Sequence, residues 1–501
     1  DLCLPAEIAG AGFVNLTWRP DVIGDQVAAL LEDPHLGVRQ ATPAQRVVVD
    51  YSSPNVAKQM HVGHLRSTVI GDALARVLDH AGHDVVRQNH LGDWGTQFGM
   101  LIEQLLLEGH DPDELDLDEL DGLYRRARTH FDDDPEFAHL SRARVVALQS
   151  GDTSTHATWE GLVAVSLTAF DATYRRMGAL LTGADVAGES SYNAALPDVV
   201  RDLDEAGLLR ESDGALCVFL DGFVGRDGTP LPLIVRKADG GFGYDATDLA
   251  AVRHRVDGLA ADRIVYVVDA RQSLHFEQVL ALARQVGWLP DRVEAEHVAF
   301  GTIRGADGKP FKTRTGQTVS LSSLLDEAEA AARSQGWGAG LPDDERGALT
   351  RAVGIGAVKY ADLSSGLGRD YTFSLDRMVS MDGNTGPYLQ YAHARLCSVL
   401  RRTGSGVGVL GALEHPAEQR LALVLTGFPR AVDTVIATLE PHHLCSYLYD
   451  LAVAASRFYE ACPVLKAEQP SQDTRVALCE ATRRVLSSGL VLLGIEAPES
   501  M

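Results

Sequence analysis

Four residues, His61-Val62-Gly63-His64, separate an apolar run from a long amphipathic stretch, and they narrow the possible folds more than any other part of the chain. The run RVVVDYS at 46–52 is apolar and β-branched, as a buried strand requires. The stretch LRSTVIGDALARVLDHAG at 65–82 places Leu65, Val69, Ile70, Ala73, Leu74, Val77, Leu78 and Ala81 on one helical face. A strand, a tight turn with glycine and a helix start together form an anion site. Free backbone N–H groups and the positive end of the helix dipole converge there. The two imidazoles add donors at a place where a phosphate can approach the backbone closely. Taken alone, the tetrapeptide also fits a turn with two surface histidines, so the neighbouring sequence has to decide.

With 501 residues and 45% hydrophobic content, the chain is too long for one ordinary domain and can bury a large core. A formal charge of −24 argues against a non-specific nucleic-acid binder and against DNA as a partner. It leaves room for a protein that grips phosphates through local Arg and Lys clusters. The six cysteines show no CxxC spacing, so no structural metal is expected, and scattered thiols fit a reducing cytoplasm. No apolar run is read as membrane-spanning and no signal peptide is evident, so no membrane partner is expected. The chain starts at Asp1 rather than Met, within what reads as a strand region, which points to a missing N-terminus.

Further segments carry more specific information. The tetrapeptide lies within SSPNVAKQMHVGHLRSTVIGD (52–72), and HLGDWGTQFGMLI follows at 90–102. Then come GES at 188–190, YDATD at 244–248, RQSLH at 271–275, the basic loop DGKPFKTRTGQTVSL at 307–321 and DGNTGPYLQYAHARL at 382–396. Together they resemble class I arginyl-tRNA synthetases, whose HIGH motif binds ATP. The resemblance covers almost the whole chain. It implies an α/β fold: a Rossmann-type catalytic domain with a parallel sheet, followed by an all-α anticodon-binding domain. The units expected are 1–45, a remnant of an N-terminal domain that touches the tRNA elbow, with most of that domain absent; 46–110, the first catalytic half; 111–185, a helical connective insertion; 186–305, the second half; 306–370, a KMSKS-like loop and linker; and 371–501, the anticodon domain.

The resemblance also implies site residues. His61, Gly63 and His64 would contact ATP on the α-phosphate and adenine side. KMSKS itself is absent, and Lys309, Lys312 and Arg314 would supply its cations. Lys58, just before the first motif, would compensate for the missing lysines, so the catalytic set is Lys58, His61, His64, Lys309 and Lys312. Glu189 and Asp248 would pair with the arginine guanidinium, a bidentate contact that selects against lysine. Tyr244 lies four residues before Asp248, so a helix puts both on one face. Asn55 and Gln272 would hold the amino and carboxylate end. Phe13 and Asn15 would meet the tRNA D-loop, although Phe13 fits a core position equally well. Tyr388 and Tyr391 would read anticodon bases and Arg395 a phosphate, with core packing as the competing role for the tyrosines. The final Met501 would sit near the anticodon loop.

The implied reaction is arginine–tRNA ligation in translation, from ATP with Mg2+, L-arginine and tRNA(Arg), by a cytoplasmic monomer that acylates the 2′-hydroxyl of the terminal adenosine. Activation of arginine would require bound tRNA. Two alternatives stand beside it: a paralogue supplying activated arginine to a biosynthetic pathway, and a non-catalytic tRNA-binding module.

Overall fold

The computed structural model describes residues 2–10, 12–225, 227–238, 240–305, 308, 319–404 and 408–501. Its centre is a four-stranded, all-parallel sheet in the order Asp84–Gln88, Arg46–Asp50, Arg263–Asp269, Glu294–Phe300. Val47, Val48 and Val49 are fully buried, because helices cover both faces of the sheet and leave its strands no solvent side. Helix Val62–His80 makes the crossover from Arg46–Asp50 to Asp84–Gln88. It lies so close to the sheet that a Cβ on Gly71 would come within 2.3 Å of Tyr51. The next strand of the sheet, Arg263–Asp269, joins the opposite side of Arg46–Asp50, so strand order reverses there. In an open parallel sheet, ligands bind outside the carboxyl ends at such a reversal.

Two element limits differ from the sequence expectation for physical reasons. The first strand stops at Asp50 because Ser52 and Ser53 turn into left-handed backbone at φ 71° and 48°. The helix starts three residues early, at Val62 rather than 65, because His61 and His64 cap it reciprocally. Residues 186–305 also contain an antiparallel sheet, Leu209–Ser212, Ala215–Val224 and Pro230–Arg236, that the sequence reading missed. Tight turns at Asp213-Gly214 and Gly228 join its strands, and it packs on a second apolar core beneath helix Tyr244–Arg253.

Among the described residues from 371 onward the elements are helices except for Tyr371–Thr372, which pairs in parallel with Ile303–Arg304. The window Pro416–Thr438 is apolar and long enough to cross a membrane by composition, contrary to the sequence expectation. It forms two helices, Pro416–Leu425 and Phe428–Thr438, and both pack on helix His442–Ala461. Buried polar ties join these parts. Arg66 of the first crossover helix pairs with Asp362 at 3.3 Å, both side chains being enclosed. The Lys359 ammonium is fully buried and donates to the carbonyls of Met177, at 3.0 Å, and Gly494. All six cysteines are free. Among the described residues, Glu440, His442 and His443 bring potential metal-ligand atoms within 4.8 Å of one another.

Candidate active site

The residues that follow the four carboxyl ends of the sheet line one edge. His61 is the N-cap of its helix: its Nδ1 accepts the Gly63 N–H at 3.0 Å, and His64 Nδ1 accepts the His61 N–H at 3.0 Å. The N–H groups of Val62 and His64 are bonded as well, to the carbonyls of Val319 and His61. The helix start therefore holds no free N–H groups at these three positions, which corrects the sequence picture. Gly63 is required here because a Cβ would lie 2.7 Å from the His61 ring. Burial, then the charges of Arg271 and Lys58, keeps His61 below its ordinary pKa. Burial and the neighbouring His61 bring His64 down to about 3. Both rings are thus neutral near pH 7. Since each Nδ1 accepts, each Nε2 carries the proton and is a donor.

Lys309, Lys312 and Arg314 lie outside the described residues. The end of their loop is described, and it docks against the first motif. Val319 and Leu321 bond to Val62 and Met60 on either side of an antiparallel bridge between His61 and Ser320. Lys58 is half-buried, with its ammonium 4.3 Å from the centre of the Tyr124 ring.

Beside the helix start a cavity of about 370 Å³ is lined by Asn55, Glu189 and Tyr244, with Tyr124 and Lys237 among its other walls. Glu189 is raised to about 8, first by burial, then by the charges of Asp248 and Asp93. Asp248 lies behind this wall. Burial disfavours its charge, but the hydrogen bond from His275 and the proximity of His90 hold it below the ordinary carboxyl range. His275 Nε2 meets Asp248 at 2.6 Å and its Nδ1 meets Asp245 at 3.0 Å. Those bonds outweigh burial and raise His275 to about 9, so it is an imidazolium clamping two carboxylates. Tyr244 and Asp248 lie on helix Tyr244–Arg253, and the Tyr244 ring stands edge-on to His275. Asp93 fixes Ser190, next to Glu189, through two bonds of 2.8 and 2.6 Å. Gln272 does not line the cavity. It is exposed at the N-cap of the helix that carries His275.

Sequence reasoning did not single out His275, His90, Asp245 or Arg271. All four lie in quoted segments, but a histidine on an amphipathic helix gives no sign of the acids it will meet.

The remaining sites are distributed over the molecule. Phe13 and Asn15 sit on an exposed hairpin strand, with Phe13 73% exposed, so Phe13 is not a core residue. Tyr388 is half-buried near Ser456 and Tyr449, and Tyr391 is exposed. Arg395 lies 4.0 Å over the Tyr459 ring. The C-terminal tail follows the same helix, Gly386–Thr403, through bonds from Gln390 and His393 to the carbonyls of Glu496 and Pro498, and Met501 packs half-buried against the core.

Residues 26–375 match the family model for class I tRNA synthetases (R), catalytic domain, and 389–501 match the DALR anticodon binding domain. The chain belongs to the class I arginyl-tRNA synthetases. It is 52% identical to an arginine–tRNA ligase of Cutibacterium acnes across all of this chain and 89% of that one. It is 54% identical to one of Frankia casuarinae, covering 99% and 86%. The arginyl-tRNA synthetase structure of Plasmodium falciparum superimposes with a TM-score of 0.84 at 29% identity, over all of this chain and 86% of that one. That of Thermus thermophilus gives 0.79 at 26% identity, over all of this chain and 89% of the other. As a synthetase of this family the chain is an enzyme that ligates arginine to tRNA with ATP as a substrate, and neither alternative from the sequence is favoured.

Proposed function

We propose that the sheet edge activates arginine in the cavity of Glu189 and Asp248 and transfers it to the 2′-hydroxyl of a tRNA(Arg) terminal adenosine for translation. The observation that carries this reading is the pairing of an ionised Asp248 with a protonated Glu189 beside a neutral, doubly capped HVGH helix start. The guanidinium meets Asp248 and takes the place of the proton on Glu189, while Tyr244 packs across it. Asn55 holds the amino and carboxylate end, and Gln272 approaches from the rim when substrate is bound. The arginine carboxylate attacks the α-phosphorus and pyrophosphate leaves, so no nucleophilic side chain is needed. The Nε2–H donors of His61 and His64 meet phosphate oxygens beside Gly63. Lys58, with Lys309, Lys312 and Arg314, takes up charge on the departing pyrophosphate. Such chemistry depends on positioning and electrostatics. Magnesium enters with ATP as part of the substrate.

Phe13 and Asn15 meet the tRNA elbow. Tyr388, Tyr391, Arg395 and Met501 share the helix and tail that face the anticodon, in the unit that begins near 371; the six sequence segments keep the roles expected for them. One chain carries both the arginine cavity and the anticodon helices, so the enzyme acts as a monomer. Free thiols suit the cytoplasm, and the acidic surface disfavours DNA. Pyrophosphate exchange with each amino acid, with and without tRNA(Arg), tests the reading. Exchange is expected with arginine and tRNA together. Equal exchange with lysine, or full exchange without tRNA, would contradict it.

A further inference from the structure

None of the catalytic or binding roles above falls to the helices of segment 111–185, yet two of them, Leu117–Asp133 and Thr153–Met177, hold the loop on which Asn55 and Lys58 stand. Between the first strand and His61, Ser52, Ser53 and Ala57 adopt left-handed backbone at φ 71°, 48° and 64°. Residues with a Cβ keep that conformation only where their surroundings impose it. Here the backbone N–H of each is taken by a side chain from elsewhere: Ser67 at 2.8 Å, Asn89 at 3.0 Å and Ser166 at 3.0 Å. The first two belong to the catalytic core. Ser166 comes from helix Thr153–Met177, where it is fully buried. Its hydroxyl donates to the Leu162 carbonyl at 3.2 Å, which leaves it an acceptor for the equally buried Ala57.

The next two residues are held from the same side. The ring of Tyr124, on helix Leu117–Asp133, lies 4.3 Å from the Lys58 ammonium, and Gln59 bonds to Asp118 of that helix. Residues 57, 58 and 59 thus each take a partner from the insertion. Tyr124 also forms part of the arginine cavity wall. Packing of an inert spacer would not need an enclosed hydroxyl aimed at a left-handed amide and a ring under the adjacent cation.

We propose that Ser166 and Tyr124 are positioning residues for arginine activation: the hydroxyl sets the turn at Ala57, and the ring holds the Lys58 ammonium at the mouth of the site. The proposal rests on the role given to Lys58 above. The experiment is pyrophosphate exchange at saturating tRNA(Arg) with the full chain carrying Ser166→Ala, Tyr124→Leu or Tyr124→Phe, each alone and combined with Lys58→Ala, with thermal unfolding followed in parallel. Ser166→Ala and Tyr124→Leu are expected to lower kcat roughly tenfold, Ser166→Ala with KM for arginine changed by less than about twofold, and Tyr124→Phe, which keeps the ring beside the ammonium, should lose clearly less kcat than Tyr124→Leu. In the Lys58→Ala background the same changes should cost less than about twofold, since residues acting through one group are not additive. If Lys58→Ala keeps wild-type kcat, the assigned role of Lys58 fails and takes the proposal with it. If Lys58→Ala loses kcat but the other losses multiply with it in full, positioning alone is overturned. Should Ser166→Ala not fold, the half-exposed Tyr124 pair decides the matter by the same comparison.

Discussion

In the proposed arginine pocket, Glu189 and Asp248 would repel each other while no substrate is bound, and here the conflict is relieved in two ways. Asp248 is kept charged by His275, and Glu189 is kept protonated by burial and by Asp248 itself. Asp248→Ala leaves a guanidinium beside one carboxyl group and strands His275 with Asp245. The expected loss in kcat/KM for arginine is about a hundredfold or more, and wild-type arginine kinetics in that variant would refute the assignment. The sign of the pH effect follows from Glu189. Its pKa is about 8 in the free enzyme, and a bound guanidinium lowers it, so binding below pH 8 releases a proton. KM for arginine should fall as pH rises from 6 to 8, approaching tenfold per unit, then level off, and Glu189→Gln should flatten the profile. A KM that is constant from pH 6 to 8 would show Glu189 already ionised. At this scale the sequence was only half legible. The resemblance pointed to both acids and to Tyr244, but the charge state of each depends on neighbours brought together by the fold.

Elements whose pattern matched their burial were legible, and the others were not. The strand at 263–269 and the helices on either side of it follow simple periodicity, because one face or the whole run is buried. The antiparallel sheet at 209–236 was hidden because its strands are only partly buried and one is bulged, which blurs alternation. The close approach of helix Val62–His80 to the sheet was not legible either, since glycine within a helix reads as an ordinary weak position. Gly71→Ala tests that approach. Its methyl would overlap Tyr51, which is fully enclosed, and neither the strand nor the helix can yield without separating. The expected cost is about 1–3 kcal/mol or more, read as a lower midpoint in denaturant at unchanged slope. An unchanged midpoint would mean that the two elements are not so tightly held.

For the molecule as a whole, the proposed tRNA requirement raises the question of how docking of tRNA would reach the sheet edge. A tRNA requirement means that the free enzyme rarely populates the competent site and that docking shifts the balance. Lys359 is placed to transmit such a shift. It joins the carbonyl of Met177, at the end of helix Thr153–Met177, to that of Gly494, just before the tail that follows helix Gly386–Thr403. It also lies close enough to Asp72, on the HVGH helix, for that charge to oppose the burial that lowers the Lys359 pKa to about 8. Lys359→Met should raise several-fold the tRNA concentration that gives half-maximal exchange, while arginine KM at saturating tRNA stays put. A parallel loss at every tRNA concentration would make Lys359 a purely structural tie. Overall architecture was the most legible level of all, since a parallel sheet followed by helices leaves few ways to connect the chain. The ties between parts were not, because each pairs residues distant in sequence through backbone carbonyls that carry no side-chain signature.

The imidazole seated on Gly63 N–H bears on which anions the enzyme ignores. A lone inorganic phosphate or sulfate would have to evict a neutral ring that already satisfies that donor, and would recover little more than the bond it displaced. A nucleotide brings a base, a sugar and further phosphates that gain contacts elsewhere, so it alone gains enough to bind beside the capped turn. The helix start is thus stoppered against the abundant small ions of its surroundings, and inorganic phosphate should inhibit exchange with arginine only weakly, in the millimolar range or above. Micromolar inhibition competitive with ATP would mean that the stopper is not there.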